Sequence, residues 1–149
     1  TIVGFVGSDT VDGGTGTDVI TLSATSADLN AASNAQIQNV EAVSASGAGA
    51  GVTITLSNQT EGFTVTGSGF ADTITGSTGA DNISAGAGND TIVGFVGSDT
   101  VDGGTNTDTL SLSGTSATLN SALNAQLVNV ENITGTSFAD TFFATRACV

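Results

Sequence analysis

The chain has 149 residues, 21 of them glycine, with no proline, methionine, tryptophan, tyrosine or histidine, and it sets 14 acidic side chains against a single base, Arg146. A net charge of −13 excludes nucleic acid and anionic membrane surfaces as natural partners, because both are held by Lys and Arg that displace counterions, and it makes cations the complementary ligands. No apolar run reaches the ~18 residues of a membrane helix, so membrane insertion is not expected, and the lack of histidine, of a nucleophile elbow and of a phosphate loop argues against an enzyme.

In chain order, residues 4–12 and 13–21 (GFVGSDTVD and GGTGTDVIT) each place Asp sixth and an aliphatic residue eighth, as Asp9 with Val11 and Asp18 with Ile20. The glycine-rich half of such a unit supplies a positive-φ turn, and the alternating half supplies a short strand. Residues 26–36 (SADLNAASNAQ) change period and predict a short helix with a serine cap. Asn39-Val40-Glu41, then residues 52–57 (VTITLS) and 63–66 (FTVT), return to period two as strands without the aspartate turn, and residues 47–51 (GAGAG) read as a loop.

Residues 67–111 then divide into five consecutive units of nine, GSGFADTIT, GSTGADNIS, AGAGNDTIV, GFVGSDTVD and GGTNTDTLS. Their sixth residues are Asp72, Asp81, Asp90, Asp99 and Asp108, and their eighth are Ile74, Ile83, Ile92, Val101 and Leu110. A second predicted helix, residues 116–126 (SATLNSALNAQ), is followed by Asn129-Val130-Glu131 and by a last unit, 135–143, carrying Asp140. Residues 144–149 leave the pattern, and Cys148, the one cysteine, has no intrachain partner for a disulfide. Asn-x-Ser/Thr triplets at Asn58, Asn82 and Asn132 are what chance yields in so Ser/Thr-rich a chain.

A longer period overlies the nine. Residues 1–14 return as 91–104, a shift of 91 − 1 = 90, while Gly135 matches Gly67 at a shift of 68, so the second copy lacks 90 − 68 = 22 residues. The expected organisation is one body over residues 1–149, with copies at 1–90 and 91–143 and a tail at 144–149. Thr1 falls inside a repeat, as in a fragment or a processed product.

Two units make one flattened coil of about 18 residues, with strands stacked in parallel at ~4.8 Å around a thin aliphatic core. The fold class that follows is all-β, a parallel β-roll or β-solenoid with short helical insertions. The competing expectation, disorder in the absence of metal, is opposed by a 38% hydrophobic content in regular alternation. In such a coil Asp72, Asp90 and Asp108 share one edge and Asp81 and Asp99 the other. Carboxylates ~4.8 Å apart repel by roughly 1 kcal/mol in water and about 3.5 kcal/mol at an effective dielectric of 20. With no lysine to offset this, a divalent cation between coils would, and carboxylates with turn carbonyls form the hard oxygen set of calcium rather than zinc.

Residues 13–21 match the pattern GGxGxDxUx, and the tandem units resemble the RTX, or haemolysin-type, calcium-binding repeat; residues 129–141 are similar to that family too. The resemblance implies a β-roll in which each calcium lies between same-edge turns of adjacent coils, held by the sixth-position Asp and turn carbonyls. Carried over, the sites join turns 67–72 with 85–90, 85–90 with 103–108, and 76–81 with 94–99, so that Asp72, Asp81, Asp90, Asp99 and Asp108 are ligands, with Asp9, Asp18 and Asp140 as further candidates. Phe70 and Asn106 at the fourth position, and Phe5 and Phe95 at the second, depart from the pattern and put individual sites in doubt. The implied role is a structural calcium-binding module of a secreted or cell-surface bacterial protein, such as an S-layer protein, adhesin or extracellular filament. Head-to-tail self-association is a further expectation. The alternatives are the C-terminal secretion and folding module of a larger secreted enzyme, and an ice-binding solenoid displaying threonine rows.

Overall fold

A computed structural model of the chain describes residues 1–3, 5–7, 9–96, 98–113 and 117–141. The tail with Cys148 and the end of the last nine-residue unit lie outside the described residues. The strands are two or three residues long: β1 (Val11–Asp12), β2 (Val19–Thr21), β3 (Ile37–Gln38), β4 (Ala42–Ser44), β5 (Thr53–Thr55), β6 (Thr64–Thr66), β7 (Thr73–Thr75), β8 (Asn82–Ser84), β9 (Thr91–Val93), β10 (Thr100–Asp102), β11 (Thr109–Ser111), β12 (Leu127–Val128) and β13 (Asn132–Thr134). Every described pairing between them is parallel.

Successive strands alternate between sheets. All the even-numbered strands form one six-stranded sheet, β5, β7, β9, β11 and β13 form a five-stranded sheet, and β1 pairs with β3 by itself. The molecule is a parallel β-solenoid of about five turns. Within the block of tandem units the coil is 18 residues, as in the register Thr73 to Thr91 to Thr109, and it widens to 23 between Val19 and Ala42 where a helix is inserted. The two long copies do not occupy equivalent faces: β2 lies in the six-stranded sheet, whereas β11, its counterpart 90 residues on, lies in the five-stranded one.

Period two decides what is inside. Ile20, Val43, Val65, Ile83 and Val101 stack in register down one sheet, and Ile54, Ile74, Ile92 and Leu110 down the other. All nine are buried. Burying such a side chain stabilises by about 1.5–3 kcal/mol, and only the coils above and below can bury it, so stability accumulates through interfaces between coils.

The insertions are shorter than the sequence predicts. The first helix, α1 (Ala27–Ala31), is capped by Ser26, whose hydroxyl accepts from the Leu29 N–H at 3.1 Å, and it ends at Ala32 in extended backbone. A separate turn follows, because the Gln36 side chain accepts from both the Ser33 N–H and its hydroxyl at 3.1 and 3.0 Å. The second insertion likewise splits into α2 (Ala117–Ser121) and a 3-10 turn at Asn124–Gln126. Helix α1 takes a place beside β5: the Asn30 amide donates to Thr53 O at 3.0 Å and accepts from the Thr55 N–H at 2.8 Å. One side-chain amide thereby supplies the two bonds that a neighbouring strand would give.

Candidate metal centre

The sixth position of each unit lies two residues before the buried aliphatic, on the inward side of the strand. In coils without the aspartate turn the same place is taken by Val52, before Ile54, and by Phe63, before Val65, both buried. Asp72, Asp81, Asp90, Asp99 and Asp108 occupy it too, and each is at most 3% exposed. These carboxylates stand in the apolar interior at the sheet edges and face little solvent.

Their first function is to bond the backbone of the coil beneath. Asp90 Oδ1 accepts from the Asp72 N–H and Asp108 Oδ1 from the Asp90 N–H, both at 2.8 Å. On the opposite edge Asp99 Oδ1 accepts from the Asp81 N–H at 2.9 Å. The rows continue into coils that lack a unit below, where Asp72 accepts from the Val52 N–H at 2.7 Å and Asp81 from the Phe63 N–H at 2.8 Å. Glu131 extends one row in the other direction by accepting from the Asp108 N–H, and Glu41, in the coil below Phe63, accepts in the same way from the Asp18 N–H, each at 2.8 Å. The role of these two glutamates goes unread in the sequence, although the signal is present: each precedes a strand aliphatic, Val43 or Ile133, by two residues, as the aspartates do.

The second carboxylate oxygen divides the turns. Asp72 Oδ2 accepts from the Ser68 N–H at 2.6 Å and Asp81 Oδ2 from the Ser77 N–H at 2.7 Å. Asp140 Oδ2 accepts from the Thr136 N–H at 2.6 Å, and Asp99 Oδ2 from the Val96 N–H at 2.6 Å. Asp90 Oδ2 and Asp108 Oδ2 are buried with no hydrogen-bond partner, as is Asp140 Oδ1. Asp9 and Asp18 stand apart from the stacked rows: Asp9 is exposed, bonding the Val6 N–H at 3.2 Å, and Asp18 is half-buried with its Oδ1 3.9 Å from the terminal ammonium of Thr1.

The turns of Asp90 and Asp108 lie on each other. Ala87 and Thr105 form a parallel bridge, and the Thr105 N–H donates to Gly86 O at 2.9 Å. Asn89 and Asn106 tie the pair further, accepting from the Thr107 N–H at 3.1 Å and the Gly88 N–H at 3.4 Å. Leaving a buried anionic oxygen unpaired is costly, and two in adjacent turns is the arrangement a cation relieves. Among the described residues no three acidic, cysteine or histidine side chains converge. A hard cation here would therefore draw most of its six to eight oxygens from turn carbonyls. A family model of the RTX calcium-binding nonapeptide repeat matches residues 1–23, 66–101 and 75–110, with 4 copies. These are RTX calcium-binding repeats. No curated protein and no solved structure matches the chain.

The orphaned oxygens of Asp90 and Asp108 fit the calcium that RTX repeats take, and bound calcium would supply positive charge and oxygen coordination between the two turns. Without it, burial of the carboxylates raises the pKa of Asp90, Asp99 and Asp108 above the ordinary 3.8. Backbone N–H bonds oppose the shift, and neighbouring carboxylates add to it: Asp72 and Asp108 on Asp90, Asp81 on Asp99, Glu131 and Asp102 on Asp108. The folded chain thus holds these protons more tightly than the unfolded chain. Their contribution to stability is complete below the ordinary value and is lost as pH rises through the raised ones. In chelator, the midpoint of thermal unfolding is expected to climb as pH is lowered from neutral towards the carboxylate range. A midpoint that falls steadily over that interval would contradict the sign.

Proposed function

We propose that this chain is a non-catalytic, rod-forming module of a secreted or cell-surface bacterial protein, one continuous body stiffened by calcium outside the cell. The observation that carries the reading is the pair of stacked, buried carboxylates of Asp90 and Asp108, each with an unpartnered oxygen, in a chain with one basic residue. Extracellular calcium modules bind in the range of roughly 0.1–1 mM, so the module is left incomplete at cytoplasmic calcium and completed after export. Among the described residues no helix is long and apolar enough to cross a membrane.

A structural array of the S-layer, adhesin or filament type is favoured over the folding module of a larger secreted enzyme by the near-identity of the two long copies. The enzyme reading requires a catalytic sequence in the same polypeptide. Val128, Ile133 and Phe138 are exposed on the last described coil and support head-to-tail association of copies. An ice-facing surface is less favoured. Thr53, Thr73, Thr91 and Thr109 do align in register on one sheet, but the parallel rank beside them runs Thr55, Thr75, Val93, Ser111.

Calcium titration of chelated protein, followed by circular dichroism with light scattering on the same sample, tests the reading. A saturable gain of β-signal between submillimolar and millimolar calcium is expected, with a rise in scatter if copies associate. A spectrum and unfolding midpoint indifferent to calcium would sink it.

A further inference from the structure

The turns differ in the residue at their second position, and the difference falls inside the loop. Ser68 Oγ donates to Asp72 Oδ1 at 2.7 Å and accepts from the Phe70 N–H at 3.1 Å; Ser77 Oγ donates to Asp81 Oδ1 at 2.9 Å and accepts from the Gly79 N–H at 3.0 Å. Thr136 repeats the arrangement, with its hydroxyl donating to Asp140 at 3.1 Å and accepting from the Phe138 N–H at 3.1 Å. The hydroxyl thus occupies the inside of the turn, and Asp72 and Asp81 each accept three bonds. Glycine takes the second position in the turns of Asp90 and Asp108, as Gly86 and Gly104, and no hydroxyl enters.

The backbone differs in step. Gly86 and Gly88 have φ of 111° and 123°, and Gly104 and Asn106 have 98° and 88°, whereas no residue of turns 67–72 or 76–81 has positive φ. Residues 13–18 share the open form through Gly14 and Gly16, at 85° and 112°. The next coil there offers Glu41 to the Asp18 N–H in place of a second aspartate turn.

We propose that the hydroxyls of Ser68 and Ser77 take the place of calcium in their turns, and that the metal is confined to the one stacked pair of glycine turns, between Asp90 and Asp108. The proposal rests on the calcium reading above and divides the solenoid. Coils around β5 to β7 are closed by covalently supplied donors and hold without metal. The coils joined by turns 85–90 and 103–108 are the part that calcium completes.

Amide hydrogen exchange of the whole chain, resolved by segment and compared between millimolar calcium and chelator, tests this. Calcium is expected to slow exchange by about ten-fold or more in β9 to β11, with changes under about two-fold in β5 to β7. Equal slowing of both blocks overturns the division while leaving calcium binding intact; no response anywhere defeats the calcium reading itself. Calorimetric titration of two variants adds an independent arm. Asp108→Asn retains an oxygen for the Asp90 N–H and removes only the unpartnered charge, so calcium heat should vanish with the dichroism spectrum unchanged. Ser68→Gly combined with Phe70→Gly opens a turn directly beneath 85–90 and should raise the stoichiometry by one. Calcium binding retained by the first variant, or an unchanged stoichiometry in a folded second, overturns the proposal.

Discussion

Asp72→Asn is expected to destabilise the solenoid by about 2–3 kcal/mol, and by the same amount in calcium and in chelator, because it leaves one buried N–H facing an amide donor. Both oxygens of Asp72 are engaged, Oδ1 by the Val52 N–H and the Ser68 hydroxyl and Oδ2 by the Ser68 N–H, so either orientation of an asparagine side chain sets NH2 against N–H. The same substitution at position 108 meets one N–H, from Asp90, and can place its oxygen there. Its stability in chelator should match or exceed that of the parent, since a desolvated charge is gone. Urea midpoints of the two variants, each with and without calcium, check the contrast. Equal losses at positions 72 and 108 in chelator would show that the two turns are not built differently.

Gly104→Ala is expected to cost about 3–4 kcal/mol and to abolish calcium binding along with it. Gly104 has φ of 98°, and a Cβ there would lie 1.9 Å from Gly86 O and 2.8 Å from Gly86 C. These are main-chain atoms of the next turn, held by the Thr105 N–H bond to the same oxygen, and they cannot swing aside. Relief requires the turns of Asp90 and Asp108 to separate, which would part the two carboxylates proposed above to hold calcium. Gly69→Ala is the matched control: its Cβ would meet nothing within 4 Å, and its φ is not in the left-handed region, so a change within about 0.5 kcal/mol is expected. Thermal unfolding and calcium titration of the two proteins side by side provide the check, and a tolerated Gly104→Ala would mean that the turns are not in contact at this spacing.

The solenoid was legible because its period is local. An aspartate and an aliphatic two residues apart, repeated every nine, define both the strand and the coil, and the structure forms β7 to β11 at those places. Two things were harder to read. Residues 26–36 carry a helical signal throughout, yet Gln36 bonds Ser33 and starts a second turn, a side-chain choice that periodicity does not encode. The burial of the aspartates could have been found, because Val52 and Phe63 take their place in neighbouring coils. The i, i+2 relation to the strand aliphatic pointed inward. The split between hydroxyl and glycine turns was visible as letters at the second position, but its meaning needed the Ser68 and Ser77 hydroxyls to be placed.

The exchange of sheets between β2 and β11 has a geometric result for any chain in which the long unit recurs. From β2 to β11 there are nine steps from strand to strand, and each is half a coil, so one 90-residue unit advances by four and a half coils, about 22 Å at ~4.8 Å per coil, and turns its successor by half a revolution. Tandem copies are then related by a twofold screw along the rod. The insertion bearing α1 leaves from the six-stranded sheet and that bearing α2 from the five-stranded one. Whatever such insertions carry is displayed alternately on opposite flanks, and a given flank recurs only every 2 × 90 = 180 residues.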